Sequence, residues 1–218
     1  MRLYRFRYSC YARKVQGLLE LARAPFDVID VPYADRTALL QVAPGYPYVP
    51  VLVTDDARVV RDSRDIVAQL VEGDERFRRF VPDENPGAAW AYADWIDNLL
   101  EDVAFRIASP GIRERFATDN ERTLFAHIKE RKFGAGAVDA WARDRELLER
   151  RASELLTPTR RTLARQRFLF GESPTVADLS LYGQLTMVYY ARPELRAAFG
   201  EEIALWYDRL LASGASAP

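Results

Sequence analysis

Near the amino end, Tyr8-Ser9-Cys10-Tyr11 sets hydroxyl groups and a thiol side by side, just ahead of a helical pattern. Unpaired amides and the helix dipole at such a junction favour an anion, so a thiolate would be stabilised there. Ser9 can equally be an ordinary helix cap, a frequent duty of serine. A second place is Val49-Pro50, at the start of an apolar run, where proline has no N–H to give to a ladder. If that bond is cis, the carbonyl and amide of Val49 turn outward and can pair with a peptide-like ligand as an added strand; a trans edge proline is the plainer reading. The third is Asp62-Ser63, where a strand pattern gives way to a helical one. Either residue can cap. The same junction lets the Ser63 hydroxyl and nearby amides receive a ligand carboxylate, while Asp62 offers its charge to a ligand ammonium.

These residues need elements to hold them. Leu3 to Arg7 alternates as a strand, and Ala12, Val15, Leu18, Leu19 and Ala22 recur at helical spacing until Ala24-Pro25. Phe26 to Val31 is a second β-rich run, so a parallel βαβ unit is the economical arrangement. A helical fragment around Thr37 to Val42 and the turn cluster Pro44-Gly45-Tyr46-Pro47 follow. Val49 to Val53 and Ala57 to Val60 flank Thr54-Asp55-Asp56 as an antiparallel hairpin, and Ile66, Val67, Leu70 and Val71 then share one helical face. A polar, proline-punctuated connector over 76–85 separates this first domain, 1–75, from a second over 86–212 in which β-branched runs disappear. The spacing of Trp90, Ala93, Ile96, Leu100 and Val103, repeated in later stretches, predicts an all-helical second domain, with Ala212 to Pro218 as a frayed tail.

Composition excludes several classes. Across 218 residues, 31 Lys+Arg stand against 32 Asp+Glu, so no global positive field holds a nucleic acid or an anionic membrane. Cys10 is the single cysteine and His127 the single histidine, which excludes disulfide scaffolds and a Cys/His zinc cage; no metal is expected. The alternating amino end lacks the apolar core of a secretory signal, no run of about 18 apolar residues supplies a membrane span, and a lone thiol fits a cytoplasmic setting. Gly134-Ala135-Gly136 follows a helix rather than a strand and lacks a third glycine, so it is no dinucleotide fingerprint.

In order and spacing, Ser9-Cys10-Tyr11-Ala12-Arg13-Lys14-Val15, Tyr48-Val49-Pro50-Val51-Leu52 and Asp62-Ser63-Arg64-Asp65-Ile66 resemble the glutathione transferase family. A fourth likeness lies about a hundred residues on, at Gly171 to Asp178, where Thr175 and Asp178 look like that family's buried capping box. The resemblance spans essentially the whole chain. It implies an α/β thioredoxin-like amino-terminal domain, β-α-β-β-β-α, followed by an all-α helical bundle.

By that resemblance glutathione is the co-substrate. Pro50 would be cis, Val49 would pair with the cysteinyl unit, Asp62 and Ser63 would hold the γ-glutamyl end, and Tyr8 would border the ligand. Ser9 would donate a hydrogen bond to the sulfur, which attacks a hydrophobic electrophile held against the helical domain, where Trp90, Phe105 or Tyr182 would line an apolar pocket. Ala12 stands where redox relatives place a second cysteine, so dithiol cycling is not expected. Three alternatives stay open: a tyrosine activator, Tyr4 or Tyr8; Cys10-centred thiol transfer or dehalogenation; and a non-catalytic binding or scaffold protein of the same fold. A cytoplasmic homodimer serving detoxification is the implied setting.

Overall fold

Alternation in the strands decides which face each helix covers. In the computed structural model, which describes residues 1–218, β1 (Arg2–Arg5), β2 (Asp27–Asp30), β3 (Val51–Val53) and β4 (Val59–Arg61) form one sheet in the order β2-β1-β3-β4. β1 runs parallel to β2, and β3 runs antiparallel to β1 and β4. Leu3, Leu52 and Val60 lie opposite one another across three strands and point into the main core with Val15, Leu18, Ile66 and Val67, from α1 (Cys10–Leu21) and α3 (Ser63–Gly73). Tyr4, Val51 and Val53 point the other way, toward Leu39 of α2 (Thr37–Val42). Each large aliphatic side chain so buried contributes about 1.5–3 kcal/mol. The short helix α2 is the helical fragment expected over Thr37 to Val42, although the summary order β-α-β-β-β-α leaves it out.

The connector is not a free strap. The helix α4 (Glu75–Arg78) runs into it from the first domain, and Phe77 and Phe80 are buried in the main core. Phe80 also accepts a hydrogen bond through its carbonyl from the Val176 amide, 2.8 Å away. Polar composition hid two aromatic anchors.

The rest is helical, as expected: α5 (Pro86–Trp95), a wide π turn (Ile96–Leu100), α6 (Glu101–Glu114), α7 (Asp119–Phe133), α8 (Ala137–Arg143), α9 (Arg145–Leu155), α10 (Thr157–Leu163), α11 (Val176–Ala191), a 3₁₀ turn and α12 (Glu201–Ala212). No helix is long and apolar enough to cross a membrane. All of α11 except Tyr190 is buried, as befits a helix at the centre of a bundle. It begins at the expected capping box, where the buried Asp178 carboxylate accepts from the amides of Thr175 and Leu169, the Thr175 hydroxyl and the Trp206 indole N–H. α11 packs directly on α1, and a Cβ added at Gly183 would stand 2.3 Å from the Cys10 carbonyl oxygen, so only glycine admits this approach.

The carboxy-terminal segment is docked rather than frayed. Ser216 donates its amide (2.8 Å) and hydroxyl (2.5 Å) to Glu20 of α1, and its carbonyl accepts from the Tyr182 hydroxyl at 2.6 Å. A short polar sequence with no periodicity carries no sign of such partners.

Candidate functional site

Pairing register brings the three sequence features to one end of the sheet. Tyr4 lies opposite Val51, and Val51 opposite Arg61. Tyr4 is one residue from the end of β1, Val51 opens β3, and Arg61 closes β4. The Ser9 turn, the Val49–Pro50 corner and Asp62-Ser63 therefore leave the sheet from the same edge. With neighbouring strands about 4.8 Å apart, this row of three is roughly 10 Å wide. The Val49–Pro50 peptide bond is cis.

Ser9 is the N-cap of α1, and its Oγ accepts a hydrogen bond from the Ala12 amide at 3.3 Å. A hydroxyl used as an acceptor keeps its proton free to donate. Ser9 is half-buried, at the end of the helix where amides and dipole favour negative charge. Cys10 differs. Only 4% of it is exposed, under α11, and burial, with Glu101 and Asp97 adding, pushes its thiol pKa well above the ordinary range. A neutral, enclosed thiol is a poor nucleophile.

Asp62 caps α3 by accepting from the Arg64 amide at 2.7 Å, and its backbone stands at φ 65°, a conformation that residues other than glycine seldom adopt. Its carboxylate is exposed at the sheet edge, whereas Ser63 is buried. Backbone held in so sparsely populated a region concentrates at ligand sites. Arg64 spans to the helical half, donating to Asp94 at 3.1 Å and lying 3.5 Å above the Trp90 ring.

Tyr8 sits in an aromatic cluster. Its ring centroid is 5.6 Å from Phe6, 5.9 Å from Phe116, 6.2 Å from Phe125 and 6.3 Å from Tyr190, and burial raises its phenol pKa well above normal. Phe116 and Phe125 come from the helical half, so α7 closes over Tyr8. Of the aromatics expected to line an apolar pocket, Tyr182 does not: it is fully buried against Gly17 and stacks on Tyr207. Trp90 is engaged by Arg64, and Phe105 packs on Phe133 and Trp141. A surface cavity of about 710 Å³ lies away from this site, beside Arg79 and Arg167.

Sequence reasoning missed the polar groups that the helical half brings to this junction. The π turn presents Asp97, whose carboxylate meets the Lys14 ammonium at 2.6 Å and accepts from Ser180 at 3.1 Å and Gln184 at 3.4 Å; its carbonyl accepts from the Tyr11 hydroxyl at 3.1 Å. One turn later, burial raises the Glu101 pKa to about 7, with Lys132 opposing, and on α7 burial lowers the Lys129 pKa to about 8, with Glu101 opposing. The Lys129 ammonium lies 4.8 Å from the Phe105 ring and 4.9 Å from that of Phe125. Asp97 and Glu101 stand among other polar residues, Asp94, Asn98 and Asp102, and nothing in the spacing set them apart.

The family description "Glutathione S-transferase, N-terminal domain" matches residues 3–76, and "Glutathione S-transferase, C-terminal domain" matches residues 137–209. No curated protein sequence matches the chain. Among solved structures, a glutathione S-transferase of Ceriporiopsis subvermispora in complex with glutathione is similar, with TM-score 0.81 and 14% identity, over 100% of this chain and 98% of that one. Glutaredoxin 2 of Salmonella typhimurium, also in complex with glutathione, gives TM-score 0.72 and 17% identity, over 97% and 93%. A glutathione S-transferase of Rhodospirillum rubrum gives 0.67 and 22%, over 96% and 91%. At these identities the likeness to solved structures is one of fold.

Proposed function

Because the chain belongs to the glutathione transferase family, we propose that it binds glutathione at the sheet edge marked by Tyr4, Val51 and Arg61 and activates the thiol for attack on a small hydrophobic electrophile. The pairing register supports this most directly, since it sends the Ser9 turn, the Val49–Pro50 corner and Asp62-Ser63 out of one edge. In this reading the Val49 backbone pairs with the cysteinyl unit, Asp62 takes the γ-glutamyl ammonium, and the Ser63 turn of α3 takes its carboxylate. Tyr8 walls the site on the helical side.

Ser9 then donates its free hydroxyl proton to the sulfur. A thiol with a pKa of about 8.5 is only a few per cent ionised at pH 7, and each unit of lowering corresponds to about 1.4 kcal/mol of preferential thiolate stabilisation. One charge-assisted hydrogen bond plus the helix terminus supplies one or two such units. The thiol proton leaves to solvent, the thiolate forms a C–S bond, and the leaving group departs with its electron pair. The burial of Cys10 favours Ser9 over cysteine-centred thiol transfer or dehalogenation. The chain acts as a cytoplasmic homodimer that removes reactive electrophiles. The test is conjugation of glutathione to an activated aryl halide by Ser9→Ala and Cys10→Ala variants: loss in the first alone supports serine activation, and loss in the second alone contradicts it.

One observation favours a second reading, a binding protein without turnover. Phe116 and Phe125 pack on Tyr8 and Tyr33, with ring centroids 5.0–6.2 Å apart, so in this reading aromatic side chains fill the helical side of the site. Calorimetric glutathione binding without conjugation of any acceptor tested would favour it.

A further inference from the structure

Lys129 of α7 holds a charge with no direct partner. Its ammonium lies over two rings, 4.8 Å from the Phe105 centroid and 4.9 Å from that of Phe125, and meets no carboxylate within ion-pair distance. Ring faces attract a cation and fix its place, yet they do not take up its N–H donors as a carboxylate would. Burial lowers its pKa to about 8, against the pull of Glu101.

The carboxylates around it are engaged or held back. Asp97 is taken by Lys14 and Asp102 by Arg106, and Glu121, two turns back along α7, accepts from the Thr118 hydroxyl. Glu101 stands beyond ion-pair distance, and burial brings its pKa to about 7, so near neutral pH it spends much of its time uncharged. Arg36 and Lys132 add positive charge, so the charges acting on Lys129, together with its own, sum to a positive value even with Glu101 ionised.

Its position ties this charge to the reaction. The fields of Lys129 and Glu101 both reach Cys10, and the Phe125 ring under the ammonium is 6.2 Å from Tyr8. Tyr8 and Cys10 flank Ser9, so Lys129 stands on the helical side of the place where the sulfur would sit.

Resting on the glutathione reading above, we propose that Lys129 selects electrophiles that carry an acid group: the apolar part lies against the aromatic wall, and its carboxylate pairs with the ammonium. Lys129 is half-buried, which leaves it open to such a partner, and an ion pair in a partly buried place is screened less by salt than one at the surface. A neutral electrophile leaves the ammonium unpaired.

Isothermal titration with product-like ligands tests it: S-(3-carboxybenzyl)glutathione and S-(4-carboxybenzyl)glutathione, each against its carbamoylbenzyl counterpart of the same shape and no charge at that end, with glutathione alone as reference. In the wild-type protein at least one acid is expected to bind about tenfold more tightly than its amide. Lys129→Met, and the milder Lys129→Gln, should bring acid and amide within about a factor of two. Binding of the amide shows that the glutathione site of a variant is folded. Equal affinity for acid and amide in the wild-type protein, or a preference that survives both substitutions, overturns the role of Lys129, while binding of glutathione leaves the parent reading standing. No saturable heat from glutathione or from any conjugate overturns both.

Discussion

The Lys14 ammonium stands 2.6 Å from the Asp97 carboxylate, with 1% and 13% of the two side chains exposed, and so fastens α1 to the π turn of the helical half. Removing one member of a buried pair leaves the other charge uncompensated, at a cost of about 3–5 kcal/mol. Asp97→Ala is expected to lose stability on that scale in urea denaturation. Lys14→Met should lose less, because Ser180 and Gln184 still donate to Asp97. Equal, negligible losses in both would show that the pair does not hold the halves together.

The Ser9 hydroxyl is the activating group in this scheme. Ser9→Ala is expected to lower kcat/KM for conjugation by about 10²-fold, the scale typical of removing one donor to a reacting anion. Cys10→Ala should stay within a few-fold, since its thiol is enclosed beneath α11. Steady-state kinetics on both variants read this directly, and a Cys10→Ala loss as large as that of Ser9→Ala would point to the cysteine.

Much of this arrangement is legible in the residue order. Leu3, Leu52 and Val60 alternate with polar or oppositely facing neighbours, which is enough to read three strands, and the Thr175–Asp178 box declares the start of α11. Other features depend on contacts between distant segments. A π turn at Ile96–Leu100 interrupts what reads as one continuous helix, so the placement of Asp97 does not follow from a 3.6-residue repeat. Cys10 lies buried beneath α11, whose close approach to its carbonyl depends on Gly183, far along the chain. Tyr182 looks like any apolar-face aromatic until Gly17 and Tyr207 enclose it.

Glu101 makes the stability depend on pH in a defined window. Its folded pKa, about 7, lies above the ordinary 4.5, so the folded protein holds a proton that the unfolded chain releases. Stability from this group is full below pH 4.5 and is lost as pH rises to about 7. Glu101→Gln removes that dependence. Its advantage over wild type, measured by urea midpoints, should open between pH 4.5 and 7 and level off above; a constant difference across the range would contradict the assignment.

Asp62 faces the proposed γ-glutamyl ammonium from a strained backbone position. Asp62→Asn keeps a capping oxygen and removes the charge. It is expected to raise KM for glutathione by about tenfold, or 1.4 kcal/mol, with kcat little changed, the pattern of lost ground-state binding. A fall in kcat at unchanged KM would place Asp62 elsewhere in the reaction.

Ultraviolet titration of the thiolate of enzyme-bound glutathione reads the sulfur itself. In the wild-type protein its pKa should fall one to two units below the free value of about 8.5, and in Ser9→Ala it should return toward that value. Saturable binding with an unshifted thiol, or a shift that survives the loss of Ser9, would contradict serine activation at the end of this sheet.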